Sequence, residues 1–286
     1  MNVIIYGAGI TGRKVYNELE NREEGRGEKS ANILAFVDGE PNLWNTELFG
    51  KKIISPNEIK NYDYDKIIVA IMTSYREVAE KLERELGVPK EKIDTNYSTM
   101  STTNRNKFLL YFAKIVYDKN MLGSVAEGGV FTGEFAKQIN QIFHDRTIYL
   151  FDTFDGFDER DVAFEQKMGF SGPVGGYFKM TSEEKVMSVL PYPEKAIMRK
   201  GYFPGTVEGI DDKFVFVNLD FDLYNPTLAG LEFFYPKMVH NGVILIHDFF
   251  NDTYKGVKVA VDEFCKKNRI AYIPIADEIS VAIVKH

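Results

Sequence analysis

Several features that would mark a specialised class of protein are scarce in this sequence. Only one of the 286 residues is a cysteine, Cys265, which excludes an intrachain disulfide framework and any zinc site built from several cysteines. No apolar run approaches the roughly 18–20 residues that cross a bilayer, so no membrane insertion is expected. Lys and Arg total 35 against 42 Asp and Glu, and this net charge of −7 gives no support for a nucleic-acid partner.

The remaining composition is that of a folded globular protein. Hydrophobic residues make up 44% of the chain and aromatic residues 14%, which excludes intrinsic disorder. The start of the chain lacks a basic segment followed by a long apolar one, so we predict no secretory signal and a cytoplasmic location. The length allows either one large domain or two.

A glycine-rich turn follows the first apolar segment, residues 3–6. The turn has the G-x-G-x-x-G spacing of Gly7, Gly9 and Gly12 and leads into a predicted helix. Such turns let a phosphate approach the backbone N–H groups at a helix N-terminus. The next predicted strand ends in Asp38, where a carboxylate can bind a ribose hydroxyl. Two interpretations stay open: a nucleotide site, or a β-α-β unit whose glycines serve packing alone.

A second segment repeats this pattern after residues 87–104, which we interpret as a domain boundary because Gly87 and Pro89 end a predicted helix and residues 94–106 are rich in Ser, Thr and Asn. A predicted strand ends in Glu127, Gly128 and Gly129, a helix follows, and the next strand ends in Asp152. A carboxylate at the position of Glu127 can hold an ammonium group, which S-adenosylmethionine (SAM) has and dinucleotides lack. The sequence therefore predicts domains 1–98 and 99–286, each an α/β, Rossmann-like unit.

Two later strands also end in acidic residues. Residues 214–219 lead into Asp220 and Asp222, and residues 243–246 lead into His247 and Asp248. Parallel strands end at one edge of their sheet, so these groups are expected to converge. Carboxylate oxygens suit magnesium, and we predict a metal or substrate role for Asp220 and Asp248. Asp222 is alternatively a helix N-cap. His247 is either a metal neighbour, a general base or a structural histidine.

At this point the chain resembles the macrocin O-methyltransferase (TylF) family. The resemblance is carried by seven short blocks in order between residues 126 and 249: 126–133 (AEGGVFTG), 150–157 (LFDTFDGF), 200–206 (KGYFPGT), 219–227 (LDFDLYNPT), 235–237 (YPK), 241–243 (NGV) and 246–249 (IHDF). The resemblance implies a class I methyltransferase fold with a mostly parallel seven-stranded sheet. It also implies transfer of a methyl group from SAM to a sugar hydroxyl with a divalent metal, usually magnesium.

The same resemblance assigns roles to individual residues. The implied cofactor site comprises Glu127, Gly128, Gly129, Thr132, Asp152, Thr153 and Phe154. Within it Asp152 would accept the ribose hydroxyls. Asp220, Asp248 and His247 would form the metal site, with Asp220 also taking the substrate proton and His247 as a second catalytic candidate. Many family members have an Asp where this chain has His247, which puts the third metal ligand in question.

The amino-terminal unit resembles small nucleotide-binding domains that precede sugar-modifying enzymes of bacterial polysaccharide pathways. Residues 5–12 (IYGAGITG), 36–38 (FVD) and 50–56 (GKKIISP) carry this likeness. The unit would bind a nucleotide-sugar or a dinucleotide, or serve assembly alone. We therefore weigh a sugar O-methyltransferase in surface polysaccharide or natural-product glycan biosynthesis against an NAD-dependent sugar-modifying enzyme and a non-catalytic module. A homo-oligomer is also expected.

A long connection rich in aromatic and glycine residues runs from residue 155 to residue 180. Its aromatic residues are Phe157, Phe164, Phe170, Tyr177 and Phe178, interspersed with Gly169, Gly172, Gly175 and Gly176. Connections of this length often close over a ligand, and we predict a lid over the acceptor sugar. The alternative is an arm that contacts another subunit.

Overall fold

A computed structural model describes residues 1–20, 31–71, 75–171 and 177–286. Residues 21–30, and Gly172, Gly175 and Gly176 of the predicted lid, lie outside the described residues. The chain forms two compact units, Met1–Asn104 and Arg105–His286. None of the described helices is long and apolar enough to cross a membrane.

The first unit is built on a mostly parallel sheet. Its strands are β1 (Asn2–Tyr6), β2 (Asn32–Val37), β3 (Glu47–Leu48), β4 (Lys51–Ile54), β5 (Lys66–Val69) and β6 (Ile93–Asp94), in the order β3-β4-β2-β1-β5-β6. Helices α1 (Ile10–Glu20) and α2 (Tyr75–Arg84) follow β1 and β5. Strands β1, β2 and β5 are buried apolar segments, as parallel strands covered on both faces are.

A long helix, α3 (Asn96–Asp118), spans the division between the two units. The division after Asn104 coincides with the end of the predicted boundary, residues 87–104, but the polar stretch 94–106 is mostly helical. Thr102 and Thr103 direct their hydroxyls to the carbonyl oxygens of Ser98 and Thr99, four residues earlier, so these polar side chains are satisfied within the helix. Ser98 is buried and donates to the Val69 carbonyl at the end of β5.

The second unit contains the seven-stranded sheet that the sequence predicts. Its strands are β7 (Ser124–Gly128), β8 (Ile148–Asp152), β9 (Ala196–Lys200), β10 (Phe214–Leu219), β11 (Met238–Ile246), β12 (Ile273–Pro274) and β13 (Val281–Val284). Their order is β12-β13-β11-β10-β7-β8-β9, with β13 antiparallel to both of its neighbours. The helices are α4 (Glu134–Ile142), α5 (Glu159–Met168), α6 (Glu183–Val189), α7 (Tyr224–Phe234) and α8 (Lys255–Asn268).

The position of the last strand corrects one prediction. The sequence predicts the final apolar segment, residues 279–284, as the closing edge strand, but β13 lies between β11 and β12. Its first three residues are buried, so it needs a neighbour on each side. The two-residue strand β12 is exposed and forms that edge instead, in keeping with the short, poorly covered strands that proteins place at sheet edges.

Central strand β10 fixes the position of the site. All six of its residues are buried, and apolar clusters cover both faces of the sheet. One cluster includes Phe214 and Phe234, and the other includes Phe143 and Phe216. A strand held this firmly places its carboxyl end, where Asp220 follows, in one defined position.

Candidate active site

The carboxyl ends of β7, β10 and β11 are adjacent and are tied together by backbone hydrogen bonds. The Asp220 N–H donates to the Gly128 carbonyl at 2.8 Å, and the His247 N–H donates to the Leu219 carbonyl at 2.9 Å. Strand order reverses between β7 and β10, which is where open parallel sheets place their ligands. The predicted convergence of the acidic strand ends is thus a property of the backbone.

Two glycines allow the first of these strand ends to approach the second. A Cβ on Gly129, whose φ is +80°, would lie 1.9 Å from the Asp220 carbonyl oxygen. A Cβ on Gly128 would lie 2.2 Å from the Phe221 ring. Glycine is required at both positions because the neighbouring groups leave no room for a Cβ atom. The backbone of this turn therefore carries no side chain at these two positions.

Asp152 organises the turn after β7. Its Oδ2 accepts hydrogen bonds from the N–H groups of Val130 and Phe131, each at 2.8 Å, and its Oδ1 accepts one from Phe154 at 2.7 Å. The Thr153 hydroxyl donates to the Gly156 carbonyl, and Thr132 lies half-buried in the turn. A carboxylate has about four acceptor positions. One therefore remains on Oδ1 of Asp152 for a ligand hydroxyl.

Glu127 is a buried carboxylate in which one oxygen atom accepts no hydrogen bond. Only 1% of the residue is exposed, Oε1 accepts from the Asn218 amide at 2.8 Å, and Oε2 is buried without a hydrogen-bond partner. Burial raises the pKa of Glu127 well above its ordinary value, although Arg105 opposes the shift. An unpaired buried acceptor of this kind suits a cationic ligand group such as the ammonium of SAM.

Asp220, His247 and Asp248 form a compact cluster. One ligand atom from each lies within 4.8 Å of the others. The Nδ1 atom of His247 is 2.8 Å from Asp248 Oδ2 and 3.0 Å from Asp220 Oδ1. His247 and Asp248 are buried, which strengthens the electrostatic interactions among the three groups.

Charge controls protonation in this cluster. Burial and Arg105 lower the pKa of His247, but the Asp220 and Asp248 carboxylates outweigh them and raise it to about 10. Burial raises the pKa of Asp220, but His247 and Arg105 outweigh it and hold that pKa well below its usual value. The site therefore holds an imidazolium between two carboxylates at neutral pH.

Asp222 interacts with Asp248 and Asp220 of this cluster and does not cap a helix, which corrects the N-cap interpretation. The N-cap of α7 is Leu223, and the Tyr224 N–H is satisfied by Glu165 at 2.7 Å. Asp222 has a φ of +63°, in the left-handed region. Burial, followed by the negative charges of Asp248 and Asp220, raises its pKa well above the ordinary value. The two aspartates at alternate positions after β10, Asp220 and Asp222, are the sequence signal that indicates this arrangement.

Sequence reasoning missed Arg105 entirely. This arginine of α3 donates from Nη2 to Asp220 Oδ2 and to Asn218 Oδ1, both at 2.9 Å. Nothing in the local sequence marks it, because the contact joins positions more than 110 residues apart. It lies in the polar stretch of residues 94–106.

Aromatic side chains lie near the turn after β7 and the acidic cluster. Phe178 packs edge-on against Phe131 at 5.0 Å and against Phe157 at 5.2 Å between ring centroids. Phe157 in turn contacts Tyr254, whose pKa is raised by burial and by Asp222.

The described part of the predicted lid divides into two regions. Phe157 and Phe178 belong to the aromatic group beside the site, whereas Phe164 and Phe170 pack against Tyr224. Helix α5 is fixed to α7 because buried Asp161 accepts from Asn225. The residues beside the site are therefore Phe157 and Phe178, and α5 is an anchored element.

The glycine turn of the first unit is built on the same plan. A Cβ on Gly12 would lie 1.9 Å from the Gly7 carbonyl oxygen, so the turn requires glycine there, whereas Gly9 meets nothing within 4 Å. Oδ2 of Asp38 accepts the Ala8 N–H at 2.9 Å, as Asp152 does for its own turn. The turn follows β1, at the point where strand order reverses between β1 and β5.

Together, the strand order, the glycine turn and the acidic strand ends define a class I, SAM-dependent O-methyltransferase. The chain belongs to the macrocin O-methyltransferase (TylF) family, whose pattern matches residues 68–283. The C2185-like, N-terminal family pattern matches residues 1–94. No curated protein sequence matches the chain. The predictions of the TylF family, of the fold class and of the enzyme class are confirmed.

Solved structures agree with this assignment. The O-methyltransferase NovP is 25% identical, with a TM-score of 0.54 over 64% of this chain and 79% of the NovP chain. CalS11, described as a calicheamicin methyltransferase, is 18% identical, with a TM-score of 0.52 over 79% of this chain and 96% of that chain. The likeness to CalS11 is one of fold.

Proposed function

We propose that this enzyme transfers the methyl group of SAM to a hydroxyl of a sugar or nucleotide-sugar with the help of a divalent cation. The observation that carries the proposal is the cluster of Asp220, His247 and Asp248 beside the strand end that holds Glu127. The acceptor class is supported by the family assignment and by the nearby Phe157, Phe178 and Tyr254, because sugars stack on aromatic rings.

The cofactor-side groups suit SAM. Gly128 and Gly129 leave the backbone open, Glu127 Oε2 is an unpaired acceptor for the ammonium group, and Asp152 retains one acceptor position for a ribose hydroxyl. We assign Thr132, Thr153 and Phe154 to the same site because they belong to the two turns that Asp152 organises.

The acidic cluster fits a divalent cation. Two carboxylates and an imidazole converge, and burial, followed by the charges of Asp248 and Asp220, raises the pKa of the neighbouring Asp222. Asp220, Asp248 and His247 would hold the cation. When bound, it would orient adjacent sugar hydroxyls and lower the pKa of the attacking one. Magnesium suits the carboxylates, whereas imidazole also suits softer divalent ions.

The protein's own groups align the reactants and receive the proton. The acceptor oxygen attacks the S-methyl carbon, the C–O bond forms as the S–C bond breaks, and the electron pair stays on sulfur to give S-adenosylhomocysteine (SAH). The oxygen becomes strongly acidic as it bonds to carbon, so an ionised Asp220 takes its proton despite a low pKa. Alignment supplies much of the acceleration in such displacements.

We further propose that the amino-terminal unit, predicted as residues 1–98, binds a nucleotide or nucleotide-sugar at Gly7, Gly9, Gly12 and Asp38. The methyltransferase domain is then residues 99–286. The combination of a nucleotide-binding domain with a methyltransferase domain is consistent with a cytoplasmic, homo-oligomeric enzyme of surface polysaccharide or natural-product glycan biosynthesis. Titration of the whole chain with nucleotide-sugars and with NAD tests the amino-terminal site. Tight NAD binding that Asp38→Asn abolishes would favour the NAD-dependent alternative.

The decisive experiment incubates the enzyme with SAM and a panel of nucleotide-sugars, with magnesium or with a chelator. We expect SAH release and a sugar product heavier by one methylene group, both dependent on added metal. Asp220→Asn should lower kcat by roughly 10²–10⁴-fold, the range for loss of a general base. Failure of the wild-type enzyme to bind SAH would refute the proposal.

A further inference from the structure

A continuous hydrogen-bonded chain connects the acceptor side of the site with the cofactor side. Arg105 Nη2 bridges Asp220 Oδ2 and Asn218 Oδ1, each at 2.9 Å. The amide nitrogen of Asn218, which is fully buried on β10, then donates to Glu127 Oε1 at 2.8 Å. Asp220 and Glu127 are thereby joined through two side chains.

Arg105 is held in place from several directions. Only 12% of its side chain is exposed, and its guanidinium carbon lies 4.0 Å from the centre of the Phe135 ring. Burial opposes its charge, but Asp220, Asp277 and Glu127 outweigh burial and raise the pKa of Arg105. The residue is therefore a permanent cation between the two acidic positions.

The geometry requires an arginine. A planar guanidinium can lie over an aromatic ring while one of its nitrogens donates to two acceptors. A lysine ammonium is a compact, strongly hydrated charge without this planar shape. Replacement of Arg105 by lysine keeps the positive charge but should lose the hydrogen-bonded bridge between Asn218 and Asp220.

We propose that Arg105 is a positioning residue that fixes Asp220 and, through Asn218, Glu127, so that the acceptor and cofactor carboxylates keep one mutual arrangement. The inference rests on the proposed methyl transfer, in which the oxygen, methyl carbon and sulfur must be in line. Displacement of a catalytic group by about 1 Å can cost about 100-fold in rate. Removal of Arg105 should therefore affect turnover and SAH binding together.

The first test compares Arg105→Ala and Arg105→Lys with Arg146→Ala in the full chain. Arg146 is a matched control, because 10% of its side chain is exposed, it donates to the Gly123 carbonyl at 2.9 Å, and it faces the Tyr117 ring. We expect kcat to fall about 100-fold in both Arg105 variants and by less than twofold in Arg146→Ala. Added guanidinium should raise the kcat of Arg105→Ala at least tenfold. It should not change the kcat of Arg105→Lys, because the lysine side chain fills the space.

The second test is a double-mutant cycle on SAH affinity with Arg105→Ala and Asn218→Ala, measured by calorimetry. We expect the combined loss of affinity to be smaller than the product of the single losses, because both act through Glu127. Multiplicative losses, or a folded Arg105→Ala with kcat within twofold of wild type, would overturn the inference. SAH binding needs no acceptor, so the cycle decides the role of Arg105 even if the enzyme binds SAH but methylates no sugar.

Discussion

The Nδ1 atom of His247 lies 3.0 Å from Oδ1 of Asp220, and this contact places a protonated imidazole where a cation would sit. The same nitrogen is 2.8 Å from Asp248, so one proton is shared with two candidate metal ligands. A metal ion and this proton therefore compete for the same position.

Metal affinity should rise with pH because of that competition. The pKa of His247 is about 10, so the proton must leave before its nitrogen can act as a ligand at neutral pH. We expect magnesium affinity to increase by up to about tenfold per pH unit between pH 7 and pH 9. Calorimetry at three pH values measures this slope. The slope should flatten in His247→Asn, and an unchanged slope in that variant would show that another group is responsible.

The same pair predicts how stability depends on pH without metal. A folded pKa raised from 6.5 to about 10 means that the native state holds the His247 proton more tightly than the unfolded chain. The stabilisation is complete below pH 6.5 and is lost as pH rises through about 10. Melting temperatures of the metal-free enzyme should therefore fall more steeply between pH 6.5 and pH 10 than those of His247→Asn. Parallel curves would contradict the assignment.

Replacement of Gly129 by alanine should disrupt the site in two ways. The new Cβ would clash with the backbone of Asp220, and alanine disfavours the positive φ at this position. Gly129 and Gly169 both have positive φ, +80° and +69°, but only a Cβ on Gly129 meets the backbone of Asp220. Gly169→Ala should cost about 1 kcal/mol from its conformation alone. Gly129→Ala should cost several-fold more and abolish SAH binding. Urea denaturation and SAH calorimetry measure both effects, and equal costs would show that the Asp220 contact is relieved by relaxation.

Much of the fold follows from local sequence signals. Buried strands are continuous apolar segments, glycine turns mark the strand ends where backbones must approach closely, and the acidic residues after β10 and β11 are visible in sequence order. Because parallel strands end at one sheet edge, their convergence could be predicted without a structure. Asp220, which follows β10, lies beside His247 and Asp248, which follow β11, for this reason.

The features that could not be predicted from the sequence depend on contacts between distant parts of the chain. Arg105 meets Asp220 only after β10 and α3 have packed in the same unit, and no local pattern signals that pairing. The polar start of α3 has the composition of a loop, since serine and threonine favour loops unless their hydroxyls are satisfied within the helix. The position of β13 inside the sheet edge likewise depends on which strand is long and buried enough to pair with two neighbours.

The Asp152 carboxylate should contribute to SAH binding chiefly by shaping the turn after β7. It accepts three backbone N–H groups, from Val130, Phe131 and Phe154, and an asparagine amide offers only one acceptor oxygen. Loss of a charged hydrogen-bond acceptor costs about 1.5–3 kcal/mol, so Asp152→Asn should raise the Kd for SAH by at least about tenfold. Asp158→Asn is the control, because Asp158 also accepts a backbone N–H, that of Arg160 at the start of α5. We expect calorimetry to find SAH affinity within twofold of wild type for Asp158→Asn. Equal losses in the two variants would mean that the turn does not depend on Asp152.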